Sequence, residues 1–498
     1  MQQTMTKNRA LFRKRGDKQP LHKSTAKQPI RWERLGSSID EFRSGIRKFR
    51  VTPNVQREHL VEELRRYSFG APVPLDRLTN NVIQLFQKYS LHVTHPRYFG
   101  LFNPGVHDSG IVAETLAAAF NPQLAAWSHS PIANEIEQHV LQALARLLGF
   151  PERETAAHFT TGGAEANLTA VLVALGHKCP AWAERGTAAL TGLPRIYISA
   201  GGHDSIAKAA RACGLGTAAV RSLPAPRPSF AIDPDQLENA IIEDQRSGFL
   251  PLVIVGTAGT TSTGAIDPLP ALAAVARKHA AWFHIDAAWG GAACLSPKLK
   301  KHIAGIELAD SVTWDAHKWL SVPYAAGMFF CRHPAAVRRA FSMQTSYMPG
   351  HVPDTLDPYA TTLQWTRKTM GLKVFMSLAE LGIDGYRRLI EHQASIGDLL
   401  RRRLKQQRYE VINDTSLPLS CFTHALVREG KLSTTEILNQ IYARGKVWIS
   451  DVTPDGTERL FRACITHYDA NEGDIECLLE ELEQAMKAAL RLRSKNPR

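Results

Sequence analysis

A chain of 498 residues is long enough for a large core and more than one domain. Its apolar and charged fractions, 44% and 21%, are those of a globular protein, and no run of 18 apolar residues marks a membrane span. The net charge of +13 is local: residues 1–50 hold 14 Lys/Arg against 4 Asp/Glu, so the rest of the chain carries only about +3.

Residues 1–29 are polar, basic and aperiodic, the composition of a chain that builds no core of its own. Such a tail suits a solvated arm, or contact with nucleic acid or an anionic membrane. No apolar core of a secretory signal is visible near it. Residues 30–95 read as a helical segment, because "IDEFRSGIRKF" and "TNNVIQLFQKYSL" space their apolar residues by three and four. From 96 to 345 helices alternate with short apolar strands, the pattern of an α/β domain with a mostly parallel sheet. The expected strands are 195–199, 252–256, 282–286, 311–314 and 327–331. Helices are expected at 133–148, 164–175 and 268–279. Residues 341–362 carry four prolines and glycines and read as a long loop. Residues 346–498 then give this loop and a small α+β domain. Its helices are expected at 368–381, 386–406 and 472–490, and its strands at 409–412, 420–427 and 447–449. Seven cysteines stand singly with no metal spacing, which predicts reduced thiols, no metal site and a cytoplasmic protein.

Two strand ends carry the chemistry. Asp286 closes the strand at 282–286, and Lys318, in Asp315-Ala316-His317-Lys318-Trp319, follows the next one 32 residues later. Ligands of α/β sheets bind at the carboxyl ends of strands. A pyridoxal phosphate (PLP) site needs a lysine to join the cofactor aldehyde and a carboxylate to keep the ring nitrogen protonated. A lone Asp or Lys in such a place is commonly a cap or a solvated charge; the pair on consecutive strand ends is more specific. Thr160-Thr161-Gly162-Gly163-Ala164-Glu165-Ala166-Asn167 leads into an apolar helix, whose free amides suit a phosphate. A second Gly/Thr segment, residues 259–264, follows the strand at 252–256, and its hydroxyls are in reach of the same ligand. His203 follows the strand at 195–199, where an imidazole can stack on a ring.

With these segments in one order, the chain resembles the group II PLP-dependent amino-acid decarboxylases. This fold-type I family includes glutamate, cysteine-sulfinate, aromatic-amino-acid and histidine decarboxylases. The similarity runs from about residue 95 to 490 through "TTGGAEANLTA", "GHDSIAKAA", "TAGTTSTGAIDPL", "FHIDAAWGG", "SVTWDAHKWL" and "LFRACIT". It implies a mostly parallel seven-stranded sheet, PLP as cofactor, a small amino-acid substrate and a homodimer with shared sites. Lys318 resembles the Schiff-base lysine, Asp286 the pyridinium partner and His203 the stacking histidine. Gly162, Gly163 and His317 resemble the phosphate contacts, and Thr261 and Ala288 resemble residues lining the ring. Arg462 resembles the arginine that pairs with the substrate α-carboxylate, and Tyr347 the loop tyrosine that returns a proton to Cα. Tyr347 therefore argues for simple decarboxylation over aldehyde formation. Two positions depart from the pattern. Ala164 stands where the aromatic branch has serine. Asp315 stands where many members have asparagine, and a carboxylate facing a phosphate argues against direct contact.

The side-chain pocket draws on the residues after His95-Pro96-Arg97-Tyr98-Phe99, here Gly100-Leu101-Phe102-Asn103. Leu101 and Phe102 would leave a distal carboxylate unpaired. Trp127 resembles an aromatic-branch tryptophan. The expected substrate is an aromatic or apolar L-amino acid. An acidic substrate (glutamate, aspartate or cysteine sulfinate) is the alternative, because "DAAWGG", "SVTW" and "LFRACIT" look closer to the acidic branch. An oxidative aldehyde synthase, or a PLP-binding protein without turnover, stands further off.

Overall fold

The computed structural model describes residues 30–102, 104–151, 154–343 and 345–495. The basic tail at 1–29 and Asn103 of the pocket segment lie outside the described residues.

A seven-stranded sheet organises the larger part. Its strands are β1 (Ala156–Thr160), β2 (Leu193–Ser199), β3 (Val220–Leu223), β4 (Phe249–Thr257), β5 (Trp282–Asp286), β6 (Ser311–Asp315) and β7 (Gly327–Cys331). Their order is β1-β7-β6-β5-β4-β2-β3; the pairs from β3 to β6 are parallel, and β7 runs antiparallel to both β1 and β6. The expected strands all form, two of them within the same limits, at 282–286 and 327–331. The sequence reading missed β1 and β3. β1 reads Ala-Ala-His-Phe-Thr, a run with few β-formers, and is held by pairing on β7 and by burial of its last four residues.

Helices cover both faces of the sheet, with one core around Leu141, Ile254, Ile285 and Trp314 and another around Val171, Ile196, Val253 and Val337. The helix Gly163–Lys178 starts directly after β1 and packs on β4, β5, β6 and β7. A single long helical element, Gly371–Gln406, replaces the two expected at 368–381 and 386–406. It breaks between them at Gly382, whose φ of 64° is left-handed. The stretch from Val374 through Tyr386, across this break, packs in the large core, and the last turns bury Leu400 and Leu404 in a separate small core.

That small core backs a four-stranded antiparallel sheet: β8 (Glu410–Val411), β9 (Leu419–Thr423), β10 (Ser450–Val452) and β11 (Leu460–Cys464), in the order β10-β11-β9-β8. Two expectations are corrected here. The strand at 420–427 ends at Thr423, because the His424 Nδ1 accepts the Leu426 amide at 3.2 Å and caps the short helix Ala425–Arg428. Residues 447–449 do not join the sheet. Trp448 instead exchanges backbone bonds with Arg97 and Phe99, stitching the small core to the segment that enters the cleft. β11, within "LFRACIT", was not foreseen as a strand. Among the described residues no helix is long and apolar enough to cross a membrane.

Candidate active site

The carboxyl ends of β4, β5 and β6 and the start of helix Gly163–Lys178 enclose a cleft. Gly163, Ala164, His203, Thr261, Asp286, Ala288 and Lys318 line it, together with Asn167, Ser205 and Trp289. Strand alternation explains who is inside. Trp282, His284 and Asp286 share one face of β5, and Ser311 and Thr313 stand beside them on β6, paired His284↔Ser311 and Asp286↔Thr313.

Asp286 is buried at the end of β5. Its Oδ2 accepts from Asn167 Nδ2 at 2.8 Å and its Oδ1 from the Ala288 amide at 3.1 Å. Asn167 also donates to Ser205 Oγ at 2.8 Å, which lies 2.8 Å from His203 Nδ1. Behind Asn167, His284 is buried and its pKa is lowered by desolvation to about 4, so the imidazole is neutral at pH 7.

Lys318 Nζ lies 3.0 Å from Asp315 Oδ2. Asp315 is buried, and its Oδ1 has no partner among the described residues. His317 accepts the Ala326 amide at Nδ1, 3.0 Å away, with its pKa lowered chiefly by burial. Its ring borders Gly162, where an added Cβ would lie 3.5 Å from Cε1. At Gly163 a Cβ would meet Asp315 Oδ2 at 2.9 Å and the Ala288 Cβ at 3.3 Å, so only glycine lets the backbone come this close. The first amides of a helix have no carbonyl partner within it and point out of its start, here into the cleft.

Arg462, on β11, is 1% exposed. Nε donates to the Thr261 carbonyl and Nη1 to the Gly100 carbonyl, each at 2.8 Å, while Nη2 has no partner among the described residues. Phe102, 5% exposed, stacks on Trp289 with centroids 4.4 Å apart. Arg462 lies 5.1 Å and Lys318 Nζ 5.8 Å from the Phe102 ring centre.

Three named residues stand apart from this cluster within the chain. Tyr347 is 74% exposed and stacks on Trp365 at 6.0 Å. Leu101 is 48% exposed. Trp127 bonds through its ring to Glu135 at 2.7 Å and through its amide to Asp357 of the Pro/Gly loop at 2.9 Å. The sequence reading passed over Asn167, Ser205 and Trp289, although each lies within a segment it quoted.

A family profile described as the pyridoxal-dependent decarboxylase conserved domain matches residues 62–425. The chain belongs to this family. Tryptophan decarboxylase 2 of Oryza sativa subsp. japonica is 28% identical over 436 residues, covering 85% of this chain and 87% of its own. Acidic amino acid decarboxylase GADL1 of Xenopus tropicalis is 30% identical over 353 residues, covering 70% and 67%. The crystal structure of mouse CSAD superposes with a TM-score of 0.84 at 25% identity, over 92% of this chain and 99% of that one. The decarboxylase is thus a PLP-dependent carboxy-lyase acting on amino acids. The cleft of this decarboxylase fits the cofactor: an amine beside a buried carboxylate with a vacant lone pair, a second carboxylate held by N–H donors, and a helix start that Gly163 keeps open to the cleft.

Proposed function

We propose that this decarboxylase converts an L-amino acid with an aromatic or apolar side chain to its amine and CO2. Bound PLP supplies the electron sink for the pair released at the substrate's α-carbon. Lys318 is the residue that joins the cofactor, and Asp315 beside it holds its amine in place. Asp286 is the partner of the ring nitrogen, His203 the residue that stacks on the ring, and Thr261 and Ala288 line it. The Gly162-Gly163 turn and His317 are the phosphate cradle. Arg462 has one guanidinium nitrogen to spare, fixed by its two backbone bonds, and grips the α-carboxylate. Held that way, the scissile bond can be kept in the orientation that breaks it.

Tyr347 is the proton donor to Cα, carried by a loop that works at the neighbouring subunit's site. Its exposure away from Lys318 in its own chain supports a homodimer with shared sites. So do Val112, Leu116 and Phe120, an exposed apolar row along one helix face at four-residue spacing. Trp127 and Leu101 belong to the same outer rim.

The observation that carries the substrate class is Phe102. It is buried against Trp289, beside both Lys318 and Arg462. An aromatic wall there favours a flat or apolar side chain and leaves a distal carboxylate unpaired, at a cost of several kcal/mol. The 30% identity to an acidic amino acid decarboxylase favours the second reading, an acidic substrate. An amine-release screen over the twenty amino acids and cysteine sulfinate, with PLP present, decides. Tryptophan, tyrosine, phenylalanine or leucine should lead; preference for glutamate, aspartate or cysteine sulfinate overturns the proposal.

A further inference from the structure

We infer that Asn167 is a positioning residue that holds Asp286 and, through Ser205, the His203 ring in place with one carboxamide. The inference rests on the reading of Asp286 and His203 as cofactor partners. It comes from the direction of every proton in a buried chain of hydrogen bonds.

The indole N–H of Trp282 can only donate, and it lies 2.8 Å from Ser311 Oγ. Ser311 then has its own proton free for His284 Nδ1, 2.9 Å away, and the Asn167 oxygen at Nε2, which needs a donor from His284, requires that direction. A neutral His284 then carries its proton on Nε2 and donates to Asn167 Oδ1 at 3.0 Å. Thr313 Oγ1 donates to the same oxygen at 2.8 Å. With its oxygen committed to two donors, Asn167 turns both N–H groups the other way, one to Asp286 Oδ2 and one to Ser205 Oγ. The flipped amide would set N–H against N–H at His284 and oxygen against carboxylate at Asp286. The Ser205 amide donates to His203 Nδ1 at 3.1 Å, which makes that nitrogen an acceptor, and Ser205 Oγ, accepting from Asn167, gives its proton to the same nitrogen. His203 is left with its proton on Nε2. The polarity runs without a break from Trp282 at the start of β5 to the two cofactor partners. Each member of the chain is buried apart from His203, where it opens into the cleft. In so dry a network a wrong partner is costly.

Asn167→Asp sets a carboxylate against Asp286, and two carboxylates in contact do not both stay ionised. Asn167→Leu keeps the size and removes the donors. Thr313→Val, isosteric and milder, leaves Asn167 with one donor fewer. In holoenzyme prepared with PLP, both Asn167 variants should weaken cofactor binding at least about tenfold, one lost charge-assisted hydrogen bond. They should also reduce the yellow absorption of the bound cofactor. In Asn167→Asp the yellow band should recover as pH falls, because the introduced carboxyl, once protonated, can donate again; in Asn167→Leu it should not. Thr313→Val should move the same way by about threefold or less. Ser205→Ala should weaken binding a few-fold and leave the band intact, because only His203 loses its tether. Variants that keep the wild-type fold by circular dichroism and also keep the wild-type spectrum and affinity overturn the inference. So does the same pH response in Asn167→Asp and Asn167→Leu. If the Asn167 variants do not fold, Thr313→Val alone decides: a wild-type spectrum and affinity there overturn it. Asp286→Ala serves as the control. If it leaves cofactor affinity unchanged, the reading of Asp286 itself fails; if it weakens binding while the Asn167 variants do not, only this inference fails.

Discussion

On the floor of the cleft, Asp286 at the end of β5 and Asn167 near the start of the helix Gly163–Lys178 are buried and each is held from two or more directions, with Asp315 buried beside Lys318. Leu101 and Tyr347, on the outer rim of the proposed site, stand in solvent, and Trp127 is tied to the Pro/Gly loop. The floor is a set of side chains with one permitted proton arrangement. The rim is a set of surfaces with contacts left to make. The floor tolerates almost no change, and the rim can be altered while the fold stands.

The strongest way to break this contrast is at the floor. Lys318→Ala should cut turnover by more than about a thousandfold, as removal of a group that acts within a unit does. Borohydride should fix the cofactor to the peptide that contains Lys318; labelling elsewhere would sink the assignment. Next comes the loop. Tyr347→Phe should slow amine formation about a hundredfold, the usual worth of a positioned proton donor. Part of the turnover should go to aldehyde with oxygen consumed, read by an oxygen electrode. Mixing Lys318→Ala with Tyr347→Phe subunits should restore one intact site per dimer. Full amine production by Tyr347→Phe would end its role and leave Lys318 untouched.

Acid should separate buried order from rim next. His467, outside the cleft, donates from Nε2 to the Thr94 carbonyl and accepts the Asp469 amide at Nδ1, each at 3.0 Å. Burial lowers its pKa to about 4, as it does for His284. A histidine kept neutral in the fold contributes stability that is complete above its unfolded value near 6.5 and is lost as pH falls toward 4. From pH 7 to pH 5 each such group should cost roughly 2 kcal/mol. The melting temperature should fall over that interval, and His467→Gln should fall less steeply than wild type. An equal slope would mean that His467 carries no such linkage.

The same contrast explains what could be read without a structure. β5 and β7 were legible to the residue because strands buried on both faces of a sheet read as short, mostly apolar runs, whether the neighbours are parallel, as for β5, or antiparallel, as for β7. β1 was not, because Ala-Ala-His-Phe-Thr becomes a strand only by pairing with a segment some 170 residues away. The strand expected at 420–427 failed on a local competitor, the His424 cap. At the site, Lys318 and Asp286 announce themselves through charge at strand ends. Asn167 does not: on sequence it is one polar residue in a helix, and its importance lies in four partners drawn from three other segments. The rim was legible only as a list of residue types, since what Leu101 and Trp127 face lies beyond their own neighbours in sequence.

The smallest expected effect tests the wall between floor and rim. Among the described pocket residues, Phe102 is both buried and adjacent to Lys318 and Arg462. Its stack on Trp289 is worth about 0.5–1.5 kcal/mol beyond its area, so full truncation would confuse selectivity with stability. Two gentler changes avoid this. Phe102→Leu keeps an apolar wall without the flat face, and Phe102→Gln keeps the bulk and adds an amide donor. If an aromatic wall sets the preference, Phe102→Leu should lower kcat/KM for an aromatic substrate about tenfold relative to leucine, the scale of hydrophobic pocket discrimination. Phe102→Gln should shift the ratio of aromatic to acidic substrate by a similar factor toward the acid, because the distal carboxylate gains a partner. Both variants should bind PLP as wild type does, since the floor is unchanged. A ratio unmoved in either variant would place the selectivity at another position. Leu101 would then be the next position to test, since it is exposed on the rim one residue before Phe102.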